Sequence, residues 1–139
     1  GLRFGYALGD KDVIGQISGA LLPWNVGTIA MWAGMAALED TEGLEMRVKF
    51  NNSEVDYIEE SLSDIPGLVI FHSHANYILF DCGGTGKTGD GVLKYAQEHG
   101  LILRGESAKY GSDGWFRVTI GSKEENRMVV KLIREYLTS

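Results

Sequence analysis

The stretch Trp115-Phe116-Arg117-Val118-Thr119-Ile120-Gly121-Ser122-Lys123-Glu124-Glu125-Asn126 decides the fold, because a strand, a turn and a helix start follow one another in it. Phe116, Val118 and Ile120 alternate with Arg117 and Thr119, the period of a strand with one buried face. Ser122, followed three residues later by Glu125, is a capping-box pattern. The helix it opens takes Val129, Val130, Leu132, Ile133, Tyr136 and Leu137 as its buried side. Upstream, Leu101–Arg104 reads as a short strand. Thr88–His99 reads as a helix with Val92, Leu93, Tyr95 and Ala96 as its apolar stripe and Gly100 as its stop. Asn76–Asp81 and Leu68–Phe71 are β-branched and aromatic runs separated by His72–Ala75, and both read as strands.

Further upstream the pattern turns helical. Leu44, Val48, Val55, Ile58 and Leu62 keep helical spacing from Glu42 to Leu62, and Pro66-Gly67 ends the segment. Asn51-Asn52-Ser53, poor helix formers, mark where that helix is open to a break. Val26–Glu39 is a second helix, with Asn25 or Thr28 able to cap it. It is apolar nearly all round, and such a helix is buried on several sides. Nothing else in the 139 residues looks large enough to cover it, so a packing partner is expected to be missing. Asp12–Leu22 is expected to be helical up to Pro23, and Leu2–Leu8 to be a short strand. These elements make an α+β fold: a small antiparallel or mixed sheet, strands near 68–71, 76–81, 101–104 and 115–120, with helices packed on one face.

Composition narrows the chemistry. Hydrophobic residues at 44% and charged residues at 23% are ordinary globular values and argue against disorder. A formal charge of −6 offers no general footprint for nucleic acid or an anionic membrane, so only a local basic site would hold a phosphate or carboxylate. The single cysteine, Cys82, excludes an internal disulfide and a Cys-rich zinc finger, and suits a reducing compartment such as the cytoplasm. No apolar run reaches the length of a membrane span. The chain opens Gly-Leu-Arg without an initiator Met and is expected to be a piece of a longer protein.

Three motifs bear on chemistry. Gly84-Thr85-Gly86-Lys87-Thr88-Gly89 fits G-x-G-x-x-G and nearly fits a P-loop, but the first P-loop glycine would fall on Asp81 and no second βαβ unit follows. The plainer reading is a flexible glycine loop. His72-Ser73-His74, with Cys82, Asp81 or His99, would offer zinc-ligating side chains, yet no spacing matches a zinc motif, and a strand-end turn reads better. Arg3, Arg47, Arg104 and Arg117 lack obvious i,i+4 partners or sit in short strands. Arg117 is the most informative, because it points away from the Phe116, Val118 and Ile120 face. A guanidinium there can capture a carboxylate or phosphate through two parallel bonds, or simply lie in solvent. There is no Ser-His-Asp order, no G-x-S-x-G and no close carboxylate pair. Spacing alone names no activity.

Several stretches, in order, carry a resemblance. Gly1-Leu2-Arg3-Phe4-Gly5-Tyr6 resembles the segment after the Schiff-base lysine in fold-type-I pyridoxal-phosphate aminotransferases, and within them the histidinol-phosphate aminotransferase branch. Pro23-Trp24-Asn25-Val26 resembles the linker before that family's interdomain helix. Ser73-His74-Ala75-Asn76-Tyr77-Ile78-Leu79 is similar to the branch's S-x-A-N-[FY] strand motif. His99–Arg104 and Phe116–Asn126 complete the series over essentially the whole chain, and the last is the specific one.

The resemblance implies residues 1–22 as a remnant of a large cofactor domain, 23–40 as the interdomain helix and 41–139 as the C-terminal small domain. It implies that Arg3 contacts the cofactor phosphate, that Arg117 clamps the substrate carboxylate or its equivalent, and that Arg104 helps bind a substrate phosphate. The catalytic lysine, the aspartate on the pyridine nitrogen and the aromatic residue stacked on the ring would all lie upstream. Pyridoxal 5'-phosphate would serve the intact enzyme and not this piece alone. The partners implied are a small-molecule amino donor, a 2-keto acid and a second copy in a homodimer. Two readings stay open beside it: a decarboxylase of the same fold, of the threonine-phosphate type, and a stand-alone α+β domain that binds a metabolite. The glycine-rich 83–91 loop and the two histidines before Asn76 depart from the family pattern and leave the substrate open.

Overall fold

The computed structural model describes residues 2–139. Contacts within the chain divide it into an N-terminal unit, Gly1–Met46, and a C-terminal unit, Arg47–Ser139. The N-terminal unit is helical, with α1 (Lys11–Ala20), α2 (Thr28–Glu39) and the first turns of α3 (Thr41–Leu62). Asp10 starts α1 by accepting from the Asp12 amide at 2.8 Å, which satisfies one of the amides a helix start leaves open. The α2 start is different: Gly27 is its N-cap and provides no side-chain bond, so neither Asn25 nor Thr28 caps it. The apolar character expected of α2 is present, and the helix buries none of its residues. Ile29 is 77% and Trp32 65% exposed. Within this unit the Phe4 ring lies over Gly34 of α2, where a Cβ would collide with it. Residues 2–10 form no strand; a short apolar segment makes one only where an edge accepts its backbone bonds.

The C-terminal unit is a four-stranded, fully antiparallel sheet of β1 (Val69–Phe71), β2 (Tyr77–Asp81), β3 (Arg104–Gly105) and β4 (Trp115–Thr119), in the order β1-β2-β4-β3. Helices α3, α4 (Gly89–Glu98) and α6 (Lys123–Leu137) supply the other half of its core. This is the α+β architecture of the sequence reading. Ile78, Phe80, Phe116 and Val118 are fully buried on the helix side, joined by Val55, Ile58 and Leu62 of α3, Val92 of α4 and Ile133 of α6. Phe80 and Phe116 stack with ring centroids 5.0 Å apart, and each such buried ring contributes roughly 1.5–3 kcal/mol by transfer alone. The capping box forms in full, Ser122 with the Glu125 amide and Glu125 with the Ser122 amide.

Two details depart from the sequence reading. Helix α3 runs unbroken through Asn51-Asn52-Ser53. Asn51 Nδ2 donates to the Ala75 carbonyl at 3.0 Å and Ser53 Oγ to the Phe50 carbonyl at 2.8 Å, so these side chains have partners that do not unwind the helix. The third strand pairs only at Arg104–Gly105, shifted towards the C-terminus, and leaves 101–103 irregular. A short helix, α5 (Ser107–Tyr110), follows it.

Candidate functional site

Strand register fixes which side chains share the face turned away from the core. Phe71 opposes Leu79, Leu79 opposes Arg117, and Arg117 opposes Arg104, and directly opposed residues lie on one face. Arg117 thus leaves the Phe116 and Val118 side as the alternation predicts. Its guanidinium carbon lies 4.4 Å from the centre of the Tyr77 ring, a cation over an aromatic face. Beside it the Trp115 ring stacks between Phe71 at 5.2 Å and Tyr110 of α5 at 4.4 Å.

The β4–β3 end of the face carries a charge cluster. Glu106, between β3 and α5, is buried with its side chain 3% exposed. Its Oε2 lies 2.7 Å from Lys109 Nζ, and its Oε1 lies 3.2 Å from Arg104 Nε and 3.6 Å from Arg117 Nη1. Lys109 beside it, then the charges of Lys109, Arg104 and Arg117, hold the Glu106 carboxyl below the usual range against the opposing effect of burial. Neither Glu106 Oε1 nor Arg117 Nε has a hydrogen-bond partner, although both are buried. Three cations around one carboxylate leave a surplus of two positive charges, and that surplus sits on a chain whose net charge is −6. Such a focus attracts an anion.

The structure therefore brings Arg104 and Arg117 together. Arg3 belongs to the N-terminal unit, where it is exposed and has a positive φ of 57°. Sequence reasoning missed Glu106, Lys109 and Tyr77. The signals were slight: a Glu two residues after Arg104, and a Glu–Lys pair at i,i+3 that foreshadows one helical turn.

The other motifs go elsewhere. In the glycine loop a Cβ on Gly84 would stand 2.6 Å from the Gly67 carbonyl oxygen, and one on Gly89 2.6 Å from that of Trp115. These glycines permit close backbone packing. Lys87 lies over the Tyr136 ring at 5.0 Å. Cys82 is buried and its thiol is pushed up to about 11 by burial, which makes it a poor nucleophile. His72 Nδ1 is 2.9 Å from Glu59 Oε2 and the His72 and His74 rings meet edge-on at 4.9 Å. Among the described residues no three metal-ligating side chains converge, and no helix is long and apolar enough to cross a membrane.

Comparison with known proteins places these features in a context. A model of the family described as aminotransferase class I and II matches residues 1–133. The histidinol-phosphate aminotransferase of Methanothermobacter thermautotrophicus is 29% identical over 136 residues, covering 97% of this chain and 36% of that protein. That of Paramagnetospirillum magneticum is 33% identical over 138 residues, covering 99% and 38%. Among solved structures, the histidinol-phosphate aminotransferase from Clostridium acetobutylicum superposes with a TM-score of 0.78 at 21% identity, over 93% of this chain and 39% of that one. L-threonine-O-3-phosphate decarboxylase from Porphyromonas gingivalis does so with 0.75 at 18%, over 95% and 41%. The chain spans little more than a third of the length of these curated relatives.

Proposed function

We propose, from the premise that this chain belongs to the aminotransferase class I and II family, that it forms the small-domain part of a pyridoxal-phosphate-dependent aminotransferase. Its reaction would move the amino group of histidinol phosphate, or of a related amino acid, to a 2-keto acid. In this division residues 1–22 belong to the large domain, 23–40 form the interdomain helix and 41–139 the small domain. The working enzyme is a cytoplasmic homodimer. The observation that carries the reading is the Arg104–Arg117 pair, set side by side on the outer face of the sheet with a surplus of positive charge.

Members of this family use pyridoxal phosphate, which when bound supplies the electron sink for amino transfer. The residues of this chain fit one part of that cofactor. Arg3 is an exposed guanidinium suited to its phosphate. The lysine, the aspartate and the stacking aromatic residue are assigned to the length of the relatives that this chain does not span, so no proton transfer is assigned to a residue here. The chain's own work is binding. Arg117, held over the Tyr77 ring, takes the carboxylate or the equivalent anionic group of the amino donor, and Arg104 takes the donor's phosphate.

Kinetics of the full-length enzyme test this. Arg117→Lys keeps the charge and loses the planar fork. A charge-assisted bond of that kind is worth roughly 1.5–3 kcal/mol, so kcat/KM should fall by about one to two orders of magnitude, with cofactor binding intact. An unchanged kcat/KM for every anionic donor would remove Arg117 from the site. Arg104→Lys should weaken phosphorylated donors far more than plain amino acids. Turnover that depends on a keto acid supports transamination, whereas CO2 release without one would move the enzyme to the decarboxylases of this fold. The 139-residue chain mixed with pyridoxal phosphate should show no saturable band near ~400 nm, where a lysine-bound cofactor absorbs.

A further inference from the structure

The charge cluster contains one member that binding an anion does not require. Arg104 and Arg117 are direct cross-strand neighbours, and like charges so placed repel and destabilise a sheet. Glu106 offsets this from a fixed position: its amide donates to the Trp115 carbonyl at 3.2 Å, and its own carbonyl accepts from the Lys109 amide at 2.9 Å. Its grip on the three cations is unequal. The Lys109 contact at 2.7 Å is a close ion pair and the Arg104 contact at 3.2 Å a looser one, while the Arg117 contact at 3.6 Å is beyond hydrogen-bond range and Arg117 Nε has no hydrogen bond. An arriving anion therefore breaks no hydrogen bond between Glu106 and Arg117, and Lys109 still holds Glu106 when the arginines turn to the ligand.

We propose that Glu106 is a positioning residue of this receptor: its buried carboxylate stands in for the ligand's anionic group, keeping Arg104, Lys109 and Arg117 assembled on one face while lowering their affinity for the anion. The inference rests on the reading of Arg117 and Arg104 as anion binders, and adds to it an internal competitor. The arrangement exchanges tight binding for a site already built when the ligand arrives and readily emptied when the product leaves.

Inorganic sulfate, a dianion across the neutral range, is the probe. Its binding to the 139-residue chain is measured by calorimetry at low ionic strength and by the Arg117 Nε–H resonance. Glu106→Gln removes the competing charge and should bind sulfate about tenfold more tightly than the wild type, with a lower melting temperature that sulfate restores. Glu106→Asp keeps the charge and should stay near the wild type in affinity. A merely structural Glu106 would lower the melting temperature of Glu106→Gln and leave its sulfate affinity unchanged or weaker, and that result overturns the proposal.

Should Glu106→Gln not fold, the wild type decides by carboxyl-carbon NMR. Saturating sulfate should draw the Glu106 titration back towards the ordinary carboxylate range, and an unmoved titration overturns the proposal. Arg117→Gln separates the two levels of inference. If it leaves wild-type sulfate binding intact, the reading of Arg117 as the anion binder fails. If it abolishes binding while Glu106→Gln changes nothing, only the role of Glu106 fails.

Discussion

Helices α2 and α6 make an instructive pair. By sequence α2 is the more apolar, with Ile29, Met31, Trp32, Met35 and Leu38 spread around it, yet it buries none of its residues. Helix α6 is rich in charge, and it buries Val129, Val130, Leu132, Ile133 and Leu137. The difference lies in arrangement and supply. Helix α6 collects its apolar residues on one side, and that side joins the buried cluster of Ile78, Phe80, Phe116 and Val118 from the sheet. Helix α2 has no polar side to leave in water, so a single neighbouring surface would not satisfy it. Within its own unit it receives the Phe4 ring over Gly34. Hydrophobicity creates the demand for burial; burial itself needs a partner surface.

The sharpest way to break that contrast is to remove an aromatic ring from each region. Phe80→Ala should destabilise the C-terminal unit by about 3–5 kcal/mol, because the ring is fully buried against Phe116 and its loss leaves a cavity. Trp32→Ala, at a largely exposed site, should stay within about 0.5 kcal/mol in dilute solution. Urea denaturation followed by circular dichroism compares them. Equal losses would mean that Trp32 is covered in the folded chain.

The second effect is in association. An apolar patch larger than a few hundred Å² usually finds a partner, so the isolated chain should associate in a concentration-dependent way through α2. Ile29→Lys combined with Trp32→Glu should shift it towards monomer by more than about one order of magnitude in dissociation constant, read by sedimentation equilibrium. A wild type that stays monomeric at high concentration would show that the exposed helix carries no such drive.

These two regions also mark how far the sequence could be read. The alternation in Phe116–Ile120 and the Ser122–Glu125 pair were legible because each is local: one strand and one helical turn contain all the atoms involved. The bare apolar helix was legible for the same reason. Leu2–Leu8 misled because alternation states a capacity to pair and is silent about whether an edge is near. Asn51–Ser53 misled because the carbonyl that receives Asn51 belongs to Ala75, 24 positions away. The charge cluster was half legible. The resemblance pointed to Arg104 and Arg117, but Glu106 and Lys109 gain their meaning only once β3 and β4 pair and α5 folds back beside them.

Helix starts give a smaller version of the same contrast. Ser122 closes the α6 capping box, whereas Gly27 leaves α2 without a side-chain cap. Ser122→Ala should cost about 1 kcal/mol of global stability. Gly27→Ser, at a φ of −71° that any residue adopts, should change stability by only a few tenths of a kcal/mol. Denaturant midpoints of the two variants rank them, and a Gly27→Ser gain as large as the Ser122→Ala loss would mean that α2 contributes as much to cooperative folding as α6.

The smallest effect belongs to an exposed pair that ties α3 to the end of β1. His72 Nδ1 lies 2.9 Å from Glu59 Oε2, and the Ser73 amide donates to Glu59 Oε1 at 3.3 Å. The Glu59 hydrogen bond, then the Glu59 charge, raise the His72 pKa above its ordinary 6.5 against an opposing effect of burial, and the charge of Asp56 adds the least. A histidine with a raised folded value adds stability that is complete below the unfolded pKa and is lost as pH rises through the folded one. The C-terminal unit should therefore lose a small increment of stability as pH rises above 6.5 and through the raised value, and Glu59→Gln should remove most of that step. Because the imidazole is exposed, salt should shrink the effect. NMR titration of the His72 ring follows it directly: an ordinary or lowered value in the wild type would sink the assignment, and a fully raised value that survives Glu59→Gln would transfer it from Glu59 to the charge of Asp56 on the same helix.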